Sequence, residues 1–456
     1  MTEIRVPDSV LAVLETLWSR DCDAYVVGGG VRDTLLGLPP PDDWDVATSA
    51  SPEEVKAAFT NGQYENRFGT VTVALGEGLL AEITTFRRDH QYADHRRPDS
   101  VTFTDSLDED LARRDFTVNA ICWGRKAADD STPGLVDPKN GLADMDARLI
   151  RAVGEPAKRF DEDALRLLRA ARFAAQLGFT IEPGTLDGMR ETAETVRWVS
   201  AERVGGELRR MVAADPPSIA FKILADTGVL EHALPELAAQ RGVPQDKIPG
   251  HDLWLHCLTS LDAAASIDPG NQRLRLAALL HDIGKPGTFA DGHFVGHDTE
   301  GARLAEALLA RLAFPRREIE WIADLIRNHM FNYEPRWSGA AIRRFVRRVG
   351  RDKIDDLLKL RAADNVGSGL APDAGRVDEL RRRIEVELRS NPPLNLRDLA
   401  VHGDDLVAEL SIKPGPEVGR LLDRLLGLVI ADPAQNRRDV LLAHARDWHQ
   451  GGESVA

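Results

Sequence analysis

The chain has 456 residues, 43% of them hydrophobic and 29% charged, enough for two to four domains of ordinary size. That balance excludes a disordered or collagen-like chain, and no apolar run is long enough to span a bilayer. A net charge of -15, from 58 Lys+Arg against 73 Asp+Glu, argues against wholesale coating of nucleic acid but leaves room for local basic grooves. Cys22, Cys122 and Cys257 are widely spaced and form no CxxC, so neither a disulfide framework nor a thiolate zinc site is indicated. Residues 1–10 lack a basic region followed by an apolar core, and the expected compartment is a reducing cytoplasm.

The first 150 residues mix strand and helix signals. Ala24-Tyr25-Val26-Val27 is a β-prone run entering Gly28-Gly29-Gly30, followed by a helix-like stretch over 31–36. Ser51-Pro52-Glu53-Glu54 pairs an N-cap serine with a proline at the first helical position and a glutamate at N3, which predicts a helix over 55–59. Residues 70–75 and 80–86 read as strands, and Ser106 with Glu109 is a second capping pattern. Beyond about residue 155, helical periodicity takes over. Proline and glycine breaks fall at 215–217, 244–250, 286–287, 335 and 391–393. The expected fold class is α+β, a small mixed-sheet head followed by an elongated all-α body.

The most informative stretch is Gly28-Gly29-Gly30-Val31-Arg32-Asp33 followed by Asp43-Trp44-Asp45. Consecutive glycines between a strand and a helix let backbone N–H groups approach a phosphate. Asp43 and Asp45, two apart on an extended segment, share a face and can share divalent cations, which suits activation of a hydroxyl and neutralisation of pyrophosphate. A glycine triplet alone is most often a turn and D-x-D alone a solvated loop; their pairing about a dozen residues apart raises the odds. GxxxxGK[ST] and GxGxxG are both absent.

With further elements in the same order, the chain resembles the class II tRNA nucleotidyltransferases and bacterial poly(A) polymerases of the polymerase β superfamily. Arg113-Arg114-Asp115-Phe116-Thr117-Val118-Asn119-Ala120 is similar to that family's RRDFTxNA element. Val136-Asp137-Pro138 with Gly141 and Asp144 is similar to its next turn, and Glu162-Asp163-Ala164-Leu165-Arg166 to its EDxxR element. The resemblance implies Mg²⁺ at Asp43 and Asp45; Glu82, before Ile83-Thr84-Thr85-Phe86 on a strand-like stretch, is a candidate third carboxylate, with an ordinary edge-strand glutamate as the competing reading. It implies phosphate contacts at Gly29, Gly30 and Arg32, and ribose and triphosphate contacts at Arg114, Asp115 and Asn119. Base selection falls to Asp163 and Arg166, with Glu162 and Arg169 in the same nucleotide site. Unaided, Asp163 and Arg166 are i, i+3 neighbours on a helix, offering acceptors and donors that could meet a base edge; a surface ion pair is the competing reading. The basic segment 87–100 resembles the loop of full CCA-adding members, and the poly(A) polymerase signature is not found around Asn66-Arg67-Phe68-Gly69.

In the body, Arg203, with Glu207, Arg209 and Arg210, resembles the family's neck element; Arg203, Arg343 and Arg347 are candidate RNA contacts, with a solvated helix face as the competing reading. Arg343, Arg344, Arg347 and Arg348 form a basic helical pattern fit for phosphates, with a solvated helix face as the near-even alternative. Ala277-Ala278-Leu279-Leu280-His281-Asp282 looks like the HD phosphohydrolase signature. With His256 and Asp364 it supplies imidazole and carboxylate ligands suited to a divalent transition metal, and His297 and His329 are supplementary groups. A Pro-Gly-Pro at 414–416 precedes a helical tail.

The sequence thus predicts a head over 1–150, a helical neck over 151–245, an HD-type domain over 246–370 and an RNA-contacting tail over 371–456. The implied activity is addition of CCA to a tRNA 3′ end from CTP and ATP, with no membrane partner and with a second phosphohydrolase activity in the HD part. Two alternatives stand beside it: a poly(A) polymerase or CC-only or A-only enzyme, and an HD phosphohydrolase with an RNA-binding head.

Overall fold

A computed structural model describes residues 4–39, 41, 43–64, 69–76, 78–90, 100–127, 132–245, 247–290 and 293–450. By packing, the chain divides into two compact units, Met1–Ala238 and Ala239–Ala456. Among the described residues no helix is long and apolar enough to cross a membrane.

The first unit is built on a seven-stranded mixed sheet. Its strands are β1 (Ala24–Val27), β2 (Asp43–Thr48), β3 (Gln63–Tyr64), β4 (Thr70–Gly76) and β5 (Leu79–Thr85), with β8 (Cys122–Arg125) and β9 (Gly134–Val136). A separate ribbon pairs β6 (Arg87–His90) with β7 (Ser100–Phe103). The sheet order is β3-β4-β5-β2-β1-β8-β9, antiparallel except for the β2–β5 pair. One core cluster gathers Tyr25, Val27, Ala47, Phe86, Leu111, Ala120, Cys122 and Val153. Alternation in β2 sends Trp44 inward and leaves Asp43 and Asp45 exposed, as the period of two requires.

The local signals act as the chemistry demands. Ser51 Oγ accepts from the Glu54 backbone N–H, and Glu54 Oε2 accepts from the Ser51 N–H at 2.8 Å, closing a capping box on Pro52–Ala58. At Ser106 only half the box forms. Ser106 Oγ accepts from Glu109 N, but the Glu109 carboxylate turns to Thr104 and Arg88 instead. The predicted loop at 87–100 begins and ends in the β6–β7 ribbon; residues 91–99 lie outside the described residues, as do Asn66, Arg67 and Phe68.

Apart from a short parallel strand pair, Leu149–Ile150 with Thr180–Ile181, the regular structure in the rest of the first unit and nearly all of it in the second is helical. In the second unit Leu253–Ile267 packs on Ile354–Gly367 and Gln272–Leu280, and His297–Arg311 packs on Arg316–Asn328. The tail has its own apolar cluster, drawn from Leu399, Val401, Leu406, Leu425, Val429 and Leu441 among others. All three cysteines are buried and free, and burial pushes the Cys122 thiol up to about 12.

Candidate active site and candidate metal centre

Strand pairing assembles the first site. Antiparallel register sets Val27 opposite Asp45, so the chain leaves β1 into the glycines right beside that carboxylate. Gly28 takes φ +82, and a Cβ there would stand 3.1 Å from Asp45 Oδ2 and 3.2 Å from an Arg114 guanidinium nitrogen. That φ favours glycine, and a side chain there would crowd both groups. A Cβ on Gly30 would meet the Trp44 ring at 2.9 Å, so glycine lets helix Gly29–Leu35 lie against β2. Parallel register places Glu82 opposite Asp45, which puts Asp43, Asp45 and Glu82 on one face. Among the described residues this trio is not a tight cluster with all ligand atoms within 4.8 Å. Desolvation raises the Asp45 carboxyl above its ordinary range, against the pull of Arg114, Arg169 and Arg113.

The turn Thr117–Asn119 and the helix Leu165–Leu177 complete this site through Asp115. One Asp115 oxygen accepts from the Phe116 backbone N–H at 2.8 Å and from the Asn119 amide at 3.0 Å; the other accepts from Arg169 at 2.7 Å. Burial opposes the charge, yet Arg169, Asn119 and Arg166 hold the Asp115 carboxyl well below the usual carboxylate range. Asn119 in turn accepts from Arg32, whose Nε donates to Asp33. The guanidiniums of Arg32, Arg169 and Arg172 all lie over the Phe173 ring, at 4.8, 5.1 and 3.9 Å from its centroid. Arg114 Nε is buried without a hydrogen-bond partner, while Nη1 of the same guanidinium is the nitrogen that approaches Gly28.

The Asp163–Arg166 pair departs from the expected geometry. Asp163 ends helix Pro156–Glu162 in an extended conformation, φ -141 and ψ 100, so the two residues do not ride one continuous helix. Asp163 receives a bidentate pair from Arg203, at 3.1 and 2.9 Å. Arg166 donates to Glu162 and to the backbone carbonyls of Arg159 and Arg113. Each side chain is therefore held by its own partner. Arg203, a sequence candidate for RNA contact, pairs with the Asp163 carboxylate.

Two of the body arginines also separate. Arg343 is buried: its Nε and one Nη donate to the carbonyls of Ile430 and Ala431 at 2.8 and 2.9 Å, and the other Nη pairs with Glu387. It closes the C-terminal end of helix Pro416–Ala431 and is not available to a phosphate, because the helix-end carbonyls claim its donors. Arg347 is more exposed and pairs with Asp423 at 3.2 Å.

The second site lies wholly within Ala239–Ala456. His256 and His281 face each other with Nε2 atoms 3.0 Å apart. Asp282 Oδ2 stands 3.3 and 3.2 Å from them, and Asp364 Oδ1 stands 3.4 and 3.7 Å from them. All four residues are buried. Burial resists a charge on His281, but Asp282 and Asp364 outweigh it and raise its imidazolium to about 9. Both carboxyls are drawn well below the ordinary range against their own burial. His297 and His329 also converge here, with Nε2 atoms 3.4 and 3.6 Å from Asp282 Oδ1. A cavity of about 360 Å³ opens onto the cluster past Lys247 and Lys285. Lys285, in the same signature stretch but with no role assigned from sequence, sets its Nζ 2.6 Å from Asp282 Oδ2; its i, i+3 spacing from Asp282 was the available signal.

Three family models match the chain: the Poly A polymerase head domain over 24–151, the "probable RNA and SrmB- binding site of polymerase A" over 178–241, and the HD domain over 253–368. A CCA-adding enzyme of Streptococcus mutans is 33% identical over 437 residues, covering 96% of each chain. A CCA-adding enzyme of Geobacillus stearothermophilus is 44% identical over 441 residues, covering 95% of each. Among solved structures, the Bacillus stearothermophilus CCA-adding enzyme in complex with CTP is similar at TM-score 0.69 and 28% identity, over 99% of this chain and 100% of that one. A Thermotoga maritima CCA-adding enzyme complexed with tRNA is similar in fold, at TM-score 0.58 and 19% identity over 98% and 97% of the two chains.

Proposed function

The chain belongs to the CCA-adding enzyme family, and from that membership we infer that it builds the CCA terminus of tRNA from CTP and ATP without a nucleic-acid template. In each step the terminal 3′-oxygen forms a bond to the nucleotide α-phosphorus, the bond from that phosphorus to the bridging oxygen breaks, pyrophosphate leaves, and the hydroxyl proton passes to solvent. The observation that carries the assignment to this head is the convergence of Gly28, Asp45 Oδ2 and an Arg114 guanidinium nitrogen at one strand end. Arg114 supplies a cation where a triphosphate would lie against glycine backbone. Asp115, pinned by Arg169 and Asn119, presents a fixed acceptor edge beside it.

The carboxylates of Asp43 and Asp45, with Glu82 alongside, are hard ligands that fit Mg²⁺. Bound there, the ion would supply charge neutralisation at the reacting phosphate and a more acidic 3′-hydroxyl. Asp163 and Arg166 act as the base-reading edge, one oriented by Arg203 and the other by Glu162. Arg347 is read as an outer phosphate contact. Residues 1–150 serve as head, 151–245 as neck, 246–370 as HD domain and 371–456 as tail. The first unit's reaction is tested by incubating the protein with tRNA ending before CCA, with labelled CTP and ATP. Three added residues in the order C, C, A are expected, and Asp43→Ala with Asp45→Ala should abolish them. Long A tails on arbitrary RNA would assign poly(A) synthesis instead.

The cluster of His256, His281, Asp282 and Asp364 is read as a divalent transition-metal site. Its nitrogen and oxygen donors, with Lys247 and Lys285 at the mouth, suit hydrolysis of a phosphate ester by this HD-type domain.

A further inference from the structure

We propose that the second unit carries a site for one unpaired nucleotide of an RNA strand, its base held in an aromatic pocket and its flanking phosphates on Arg344 and Arg348. The choice of RNA over DNA rests on the CCA-adding reading; the pocket itself does not. A cavity of about 410 Å³ is lined from the segment 330–337 and from helix Gly339–Val349, within the size range of small-ligand sites. Phe331, Trp337 and Phe345 form its apolar wall, Asn332 offers an amide, and Arg344 and Arg348 supply its cations. No acidic side chain lines it among the described residues.

The aromatic wall is fixed before any ligand arrives. Phe331 and Trp337 each pack against Phe345, with ring centroids 5.1 and 5.6 Å apart. Phe345 is buried, whereas Phe331 and Trp337 are half-buried and keep part of their surface open. The segment 329–337 has no helix or strand, yet four of its carbonyls are occupied. Arg361 donates to those of His329 and Phe331 at 2.6 and 2.9 Å, and Arg383 to that of Pro335 at 2.8 Å and to that of Trp337. Walls held this way lose little freedom on binding.

The four arginines of helix Gly339–Val349 divide into two kinds. Arg343 and Arg347 are paired with Glu387 and Asp423. Arg344 and Arg348 are exposed, and among the described residues neither has a carboxylate partner. The Arg348 guanidinium lies 5.4 Å from the Phe345 ring centroid, at the edge of the aromatic wall. Four residues apart, the two cations share one helix face a single turn, about 5.4 Å, from each other. Like charges at that spacing repel and weaken a helix, and a bound anion removes the repulsion.

The ligand that meets both features is a nucleotide within a strand. Its base offers a π-face to the rings, and the phosphates on either side of it offer two anions to two guanidiniums. A free mononucleotide carries its phosphate on one side only. A duplex keeps its bases stacked and paired, away from an aromatic pocket.

The test uses the full chain and an unstructured RNA of about ten nucleotides, with a central 5-bromouridine and a 3′-phosphate that blocks extension. Ultraviolet crosslinking and peptide mass spectrometry should place the bromouridine on the segment 330–337 or on Phe345. Crosslinks confined to the first unit overturn the site and leave the reading of the head untouched. In anisotropy titrations Trp337→Ala should weaken binding about tenfold with the salt dependence unchanged. Arg344→Gln with Arg348→Gln should instead lower the slope of log K against log salt by about 1.4, the loss of two phosphate contacts on a single strand. Both arginines are exposed, so this pair decides the matter where circular dichroism shows Trp337→Ala misfolded. Parental affinity and slope in the arginine pair overturn the phosphate contacts. Displacement of the RNA by AMP at equal concentration overturns the strand, equal binding of the matching single-stranded DNA overturns the choice of RNA, and equal binding of the duplex overturns insertion of a base.

Discussion

Single side chains in this protein act through the partner that fixes them. Asp115 shows this most plainly, because backbone, amide and guanidinium donors all converge on it. Asp115→Asn should cost about 2 kcal/mol at pH 7, since it leaves Arg169 without its charged partner. The pH dependence has a definite sign. A folded carboxyl held below its unfolded value contributes fully above the unfolded value, about 3.9, and loses that contribution as pH falls through the folded one. The stability gap between wild type and variant should thus be flat from pH 8 to about 5 and narrow only below about 4, as denaturant titrations at each pH would show. Arg203 acts at one remove. Its bidentate hold on Asp163 fixes one half of the proposed base-reading edge, so Arg203→Ala should raise KM for CTP and ATP about tenfold and admit more UTP. Arg203→Lys, with a single point contact, should recover only part of the discrimination. Unchanged nucleotide selection in Arg203→Ala would remove it from that role.

Helices and strands decide where these groups stand. The strand period of two puts Asp43 and Asp45 out and Trp44 in, and both the capping signal at Ser51 and the β-prone run at 24–27 can be read from local residues alone. The bidentate Asp163–Arg203 pair cannot, because its partners are forty residues apart and meet only when helix Ala201–Val212 packs against Leu165–Leu177. Arg343 teaches the same lesson in reverse. Its helical pattern with Arg347 suggests a basic face, whereas tertiary packing delivers it to the end of a helix more than eighty residues away. Arg343→Met should therefore destabilise the protein by about 2–4 kcal/mol, from two stranded carbonyls and an unpaired Glu387. Thermal melting would register that loss, while the salt dependence of tRNA binding should stay as in the wild type. A shallower salt slope in the variant would restore Arg343 as a phosphate contact.

Taken whole, the chain is acidic yet is assigned an RNA substrate. Charge of that sign discourages indiscriminate binding, so the proposed grip on tRNA must come from a few placed cations. Double-stranded DNA in large excess should fail to compete with tRNA in a binding assay at about 0.15 M salt, where surface charges are screened beyond about 8 Å. Efficient competition would mean a general polyanion surface. The sequence by itself determined the fold class, the ordered elements of the head and which histidines and aspartates to look for in the second unit, because those depend on glycine freedom, strand alternation and residue chemistry that operate within short stretches. Only the tertiary structure decided that Gly28 is the close-approach glycine, that Asp163 answers to Arg203, that Arg343 serves a helix end and that Asp282 offers its two oxygens to two different histidine pairs. Each of those is a pairing between residues distant in the chain, and no local periodicity encodes which of many arginines or histidines will arrive.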